Sequence, residues 1–234
     1  MRVGTLVALW RYPVKSMRAE GLTAAEVGWH GLAGDRRWAF IRPGVERSGF
    51  PWLTLRERPE MGRFRPYFVD PDRPDSSRTT VCTPDGDEYD VTDGALAVLL
   101  GDGVRVIKQD RGVFDTMPLS LISARTVEGL RELCDRPLER GRFRPNLLVE
   151  AVGDVPFPEE AWVGGILRIG AMGMRVDRRD ARCVIVTMDP HSGERDPAIL
   201  RQIVRQRDGC AGVYGSTVTP GRVAVGDAVF FEPA

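Results

Sequence analysis

Short runs of β-branched and aromatic residues, each cut off by glycine, proline or aspartate, recur from one end of the chain to the other. Gly4 to Trp10, Trp38 to Ile41, Val104 to Lys108 and Asn146 to Val149 have this form. So do Leu167 to Ile169, Met174 to Val176, Val184 to Met188 and Ala228 to Phe231. Apolar runs bounded by turn formers read as strands, and their close spacing predicts barrels or sandwiches rather than alternating strand and helix units. Three segments switch to a helical period. The first spans Gly94 to Leu100, with Asp93 as N-cap and Gly101 as the stop. The second starts after Ser123 and sets Val127, Leu130 and Cys134 on one face, so Cys134 is expected in the core. The third follows Asp196-Pro197, a cap with proline at the first helical position, and carries Ile199, Ile203 and Val204. The expected fold is mainly β with a few helices. Val69 to Arg78, rich in turn formers and acids, reads as an exposed loop, and Gln109 to Asp115 is the better candidate for a domain boundary.

Composition adds exclusions. Thirty-three basic residues balance 33 acidic ones, so no global field recruits nucleic acid or an anionic membrane, and any anion site must be local. Lys15 and Lys108 are the only lysines among those basic residues, so a single arginine says little here. Four cysteines, Cys82, Cys134, Cys183 and Cys210, show no Cys-x-x-Cys spacing, and only His30 and His191 stand ready to join them, which argues against a structural zinc site. The apolar stretch near the N-terminus is too short for a signal peptide or membrane span, and no longer one follows. A soluble, cytoplasmic protein with reduced thiols is expected.

Cys183 carries the sharpest chemical signal. It launches the run Val184 to Met188, and Arg182 or Arg179 beside it favours a thiolate, which is a nucleophile or a ligand for soft or high-valent metals. An inert core thiol is the competing reading. Lys15 and Ser16 follow the first strand, where a cation paired with a hydroxyl suits a phosphate as well as it suits a plain turn. Arg36 and Arg37 sit at the mouth of a strand after a glycine-bracketed turn, and strand alternation sends their side chains apart. Proline after Arg144 holds that residue off helix, and Asn146 offers both a donor and an acceptor. Asp189-Pro-His-Ser-Gly193 is turn chemistry, which makes Asp189 structural and leaves His191 either an acid or a surface turn residue.

Taken in order, Tyr12-Pro-Val-Lys-Ser16, Gly34-Asp-Arg-Arg-Trp38, Phe143-Arg-Pro-Asn146, Arg182-Cys-Val-Ile-Val-Thr-Met-Asp-Pro190 and Gly226-Asp227 resemble the MOSC proteins, the domain family related to the C-terminus of molybdenum cofactor sulfurase and to the amidoxime-reducing components. The resemblance covers nearly the whole chain. It implies an N-terminal MOSC-associated β domain over 1–110 and a MOSC β-barrel domain with helices over 111–234. It implies a molybdenum cofactor, molybdopterin with its metal, with Cys183 as the catalytic thiolate ligand. Lys15, Ser16 and Arg36 match residues that hold the pterin's phosphate, Arg144 and Asn146 match contacts near the cofactor, and Ser123 and Thr126 fall in a matching segment before a helix. Pyridoxal phosphate binding is a further property linked to the family. The implied reaction is two-electron oxygen-atom transfer that reduces small N-hydroxylated substrates. The chain shows neither an iron–sulfur spacing nor a flavin fingerprint, so electrons are expected from a separate reductase, ferredoxin-like or cytochrome b5-like. The alternative is a sulfur carrier or cofactor-delivery protein that uses a Cys183 persulfide. The sequence departs from eukaryotic relatives in lacking a membrane anchor, in shorter spacing, and in His191 standing where an acid is common.

Overall fold

The protein is described by a computed structural model covering residues 1–45 and 47–234. Its first half contains strands β1 (Arg2–Arg11), β2 (Glu20–Leu22), β3 (Ala24–Gly28), β4 (Gly31–Leu32), β5 (Trp38–Ile41), β6 (Arg65–Phe68), β7 (Thr79–Cys82) and β8 (Glu88–Asp90), then helix α1 (Gly94–Leu100) and β9 (Arg105–Lys108). The second half contains β10 (Leu119–Ser123), α2 (Ala124–Cys134), β11 (Leu147–Ala151), β12 (Ile166–Ile169), β13 (Met172–Ala181), α3 (Pro197–Arg207), β14 (Cys210–Thr219), β15 (Gly221–Ala224) and β16 (Ala228–Glu232). The expected mainly β fold with a few helices is what forms. No described helix is long and apolar enough to cross a membrane.

Strands β11, β10, β14, β13, β12, β16 and β1 hydrogen-bond in that order, and β1 returns to β11, so the sheet closes into a seven-stranded barrel. Closure removes the edges that an open sheet would leave unpaired. The barrel is built largely from the second half of the chain, yet β1 from the first half completes it, and β15 pairs with β3. Leu6, Leu121, Leu147, Ile169, Met174 and Val213 fill the interior. Burying one such side chain contributes about 1.5–3 kcal/mol relative to exposing it. β10 and β11 are buried on both faces, because Leu121 and Leu147 point into the barrel while Ile122 and Leu148 pack outward against α2 and α3. Strands β5, β7, β8 and β9, with α1, enclose a separate core around Phe40, Met61, Val81 and Leu96, while Leu22 of β2 and Leu32 of β4 pack on the barrel core.

The caps expected at Asp93 and Asp196 form by accepting from the backbone N–H groups of Ala95 and Ala198, and Ser123, just before α2, accepts likewise from Thr126 N. Cys134 lies buried on α2. The run Val184 to Met188 departs from expectation: β13 ends at Ala181, and Val184–Thr187 wind into a single 3-10 turn. The physical reason is where the apolar side chains go. Val186 packs into the helical cluster while Ile185 and Met188 face the first-half core, a divergence that a turn provides between two cores. The Thr187 hydroxyl closes the turn by donating to Val184 O at 2.7 Å.

Candidate functional site

Five chain segments meet at one cleft between the barrel and the first-half core: the stretch after β1, the turn before β5, the connection leading to β10, the segment around Arg144 and the segment around Cys183. Lys15, Ser16, Arg36, Arg144 and Cys183, which lie far apart in sequence, all line it. Lys15 is almost fully buried; its ammonium donates to Val113 O at 3.0 Å and pairs with Asp115. Arg36 pairs with buried Asp35 and donates to Arg144 O at 3.3 Å. Arg144 donates to Met17 O at 2.9 Å. The guanidinium carbons of Arg36 and Arg144 lie 4.4 and 4.3 Å from the centre of the Tyr12 ring, whose face attracts cations. The Ser16 hydroxyl makes no hydrogen bond among the described residues. The connection reaches the cleft only because residue 112 is glycine: at φ +72°, a Cβ there would lie 2.7 Å from Asp35 O.

The backbone of this cleft is strained where its cations sit. Six non-glycine residues among those described adopt positive φ. Asp135 and Asp208 are C-caps of α2 and α3, and Phe157 begins a 3-10 turn. The other three are Ser16 (φ 67°), Arg36 (φ 50°) and Arg144 (φ 48°), all on the cleft. Each such conformation costs on the order of 1–3 kcal/mol and persists where the surroundings over-determine it, as at binding sites.

Electrostatics points the same way. Burial pulls the Lys15 ammonium below its ordinary value although Asp115 opposes this. Burial lowers Arg144 as well, and the neighbouring Arg36 adds to the effect. Arg142 donates to Thr187 O and Asp189 Oδ2 at 3.1 and 2.8 Å, yet its buried Nε has no partner. The cleft is therefore short of negative charge. Cys183 is half-buried at its edge, and its Sγ accepts from Arg56 Nη2 at 3.4 Å. Arg182 turns away from the sulfur, donating to Phe143 O and Ala211 O, both at 2.8 Å, and pairing with Asp180 at 2.9 Å.

Asp180 lies at the bottom with Tyr214 beside it. Burial pushes its carboxyl up to about 6 against the pull of Arg182, and burial together with Asp180 pushes Tyr214 up to about 12. The folded carboxyl thus holds its proton more tightly than in the unfolded chain, so this group's contribution to stability falls as pH rises from its unfolded value of 3.8 through about 6. A shift of this size corresponds to about 3 kcal/mol. In urea titrations Asp180→Asn should gain stability relative to the parent protein by about that amount between roughly pH 4 and pH 8. A difference that stays constant with pH would refute the assignment.

Three expected contacts lie off the cleft. Asn146 is buried behind it, accepting from Ser120 N and Oγ at 3.2 and 3.1 Å and donating to Trp10 O and Asp35 Oδ2, both at 3.2 Å. Ser123 and Thr126 are fully buried at the start of α2. Thr126 Oγ1 donates to Glu159 Oε2 at 2.7 Å, and Glu159 Oε1 accepts from Ser123 N at 3.2 Å. His191 is exposed in its turn, 3.4 Å from Arg18, and Asp189 Oδ1 accepts from His191 N and Ser192 N as a turn aspartate does. Arg56, Asp115, Asp180 and Tyr214 were not singled out from sequence. Asp180 alone carried a usable signal, its position three residues before Cys183.

A family model described as the MOSC domain matches residues 108–230, and one described as the MOSC N-terminal beta barrel domain matches residues 3–98. Mitochondrial amidoxime-reducing component 1 of Xenopus laevis is 24% identical over 98% of this chain and 82% of its own length. The human protein of the same name is 22% identical over 98% of this chain and 83% of its own. A molybdenum cofactor sulfurase of Drosophila grimshawi is 28% identical over 87% of this chain but only 30% of its own length. The crystal structure of the YUAD protein from Bacillus subtilis superposes with a TM-score of 0.54, covering 99% of this chain and 97% of that one at 12% identity, a likeness of fold.

Proposed function

The chain belongs to the MOSC domain family, and from that premise we infer that it is a molybdenum cofactor-dependent oxidoreductase that reduces small N-hydroxylated compounds with electrons from a separate ferredoxin-like or cytochrome b5-like donor. Relatives named for amidoxime reduction and for the molybdenum cofactor support this reading. The observation that carries it is the gathering of three strained residues, Ser16, Arg36 and Arg144, with the half-buried Cys183 sulfur on one cleft.

The residues present fit such a group. A pterin dithiolene phosphate is polyanionic, and the cleft holds buried cations with too few acids, a free hydroxyl and an unpartnered guanidinium N–H. Lys15, Ser16 and Arg36 would hold the phosphate, with Arg144 beside them. Cys183 would supply the protein thiolate, a ligand type suited to soft or high-valent metals. When bound, the cofactor supplies a two-electron couple that accepts oxygen from the N–OH bond. Arg56, donating to Cys183 Sγ, orients the sulfur. Asp180 and Tyr214 line the same cleft as Cys183 and would be proton donors there, since near pH 6 Asp180 can both hold and release a proton.

Protein purified from a host that makes the cofactor is expected to contain roughly one molybdenum and one pterin per chain and to reduce benzamidoxime when given a chemical or enzymatic electron donor. Folded, metal-free protein from such a host would overturn the reading. The 28% identical sulfurase favours a second one, in which Cys183 carries sulfur or passes the cofactor on. A persulfide on Cys183 by mass spectrometry, with no benzamidoxime reduction, would select it.

A further inference from the structure

A second concavity, with a volume of about 330 Å³, opens next to the cleft and shares Arg142, Arg144 and Ile185 with it. This is within the size range of sites for small organic ligands. Its walls carry the ring faces of Trp10, Tyr12, Pro145 and Pro190 together with the aliphatic side chains of Leu55, Ile185 and Met188. Its rim is cationic. Arg18 and Arg140 are both exposed there, with His191 next to Arg18. Two acids also line it. Asp189 is already engaged by Arg142 and by the His191 and Ser192 amides, which leaves Glu139 against Arg18 and Arg140. Neither of these arginines has an ion-pair partner among the described residues. Aromatic and proline walls favour a planar body, and unpaired arginines at the mouth favour an anionic substituent on it.

We propose that this groove binds the body of a flat aromatic carboxylate, so that the substrate is an N-hydroxylated arene or heteroarene whose acidic group lies remote from the N–OH. The N–OH end would enter the cleft at Cys183 past Ile185, while Arg18 and Arg140 take the carboxylate. The assignment of the N–OH end rests on the proposed function; the groove's preference for aromatic anions does not.

The probes are 2-naphthoate and its neutral counterpart 2-naphthamide, titrated calorimetrically into the purified full chain whose molybdenum content is measured in parallel. The wild-type protein is expected to bind naphthoate more tightly than naphthamide. Arg18→Ser/Arg140→Ser should weaken naphthoate about tenfold, the size that two solvent-facing charged contacts supply, and leave naphthamide unchanged. Gly141→Leu adds bulk where a Cβ would meet only the Pro190 side chain at 3.4 Å, and it should weaken both probes. Absent binding, equal affinity for the two probes, or naphthoate binding that neither variant disturbs would each overturn the groove assignment. Metal-free protein that still prefers naphthoate through Arg18 and Arg140 upholds the groove and sinks the proposed reaction. Molybdenum-loaded, active protein without that preference does the reverse.

Discussion

Cys183→Ala should strip molybdenum from protein made in a cofactor-competent host and lower benzamidoxime reduction at least about 100-fold. The size of the effect follows from the lack of a substitute ligand. Among the described residues no three His, Cys, Asp or Glu side chains gather in a way that would hold a metal. Cys82 and Cys134 are buried away from the cleft, and Cys210, at the start of β14, does not line it. The cleft's carboxylates are committed elsewhere, Asp115 to Lys15 and Asp180 to Arg182. The same variant should fold normally. Cys183 is only half-buried and its sulfur has one hydrogen-bond partner, the exposed side chain of Arg56, so the melting temperature should move by no more than about 2–4 °C. Metal analysis and thermal unfolding on one preparation check both statements. Full metal occupancy in a folded Cys183→Ala protein would rule out the thiolate as ligand. Cys183→Ser tests whether softness or mere polarity matters: a hydroxyl of similar size should lose the metal nearly as completely.

What was legible in the sequence is what local chemistry decides. Asp93, Ser123 and Asp196 announce their helices because a cap is a contact between near neighbours. β1, β5, β9, β12 and β16 announce themselves through short β-branched or aromatic runs. β14 did not, although it is ten residues long and pairs with both β10 and β13. Its sequence contains Gly212 and Gly215, which look like turn material. Gly215 is required for another reason: a Cβ there would lie 2.2 Å from Arg175 O, so the strand packs against β13 only without a side chain. Tyr214 lies on that same strand and is equally hidden in the sequence pattern. The Val184 to Met188 run misled in the opposite direction, since its β-branched residues serve two cores rather than one sheet. For the site, resemblance picked out Lys15, Ser16, Arg36, Arg144 and Cys183, which share the cleft, and also Asn146, Ser123 and Thr126, which are buried off it. Arg56 and Asp115 gain their roles from neighbours that are distant in sequence, Cys183 and Lys15, so no spacing rule could have pointed to them.

Asp35→Ala should cost about 3–5 kcal/mol of stability by urea denaturation, the largest single loss expected from a residue next to the cleft. Asp35 is 1% exposed and accepts from Tyr12 N at 2.7 Å and Asn146 Nδ2 at 3.2 Å while pairing with Arg36. Truncation orphans two buried donors and leaves the Arg36 charge beside Arg144 without its counter-ion. Asp35→Asn keeps an acceptor for Tyr12 N and removes only the charge, so its cost should be intermediate. The charge and hydrogen-bonding parts separate in a double-mutant cycle with Arg36→Met. If the uncompensated guanidinium dominates, removing Arg36 as well should restore about 2 kcal/mol of the loss from Asp35→Ala. Additive costs would instead assign the loss to the orphaned Tyr12 and Asn146 N–H groups. A cost below about 1 kcal/mol for Asp35→Ala would refute both accounts, because it would mean the buried cations around Tyr12 need no counter-charge from the protein.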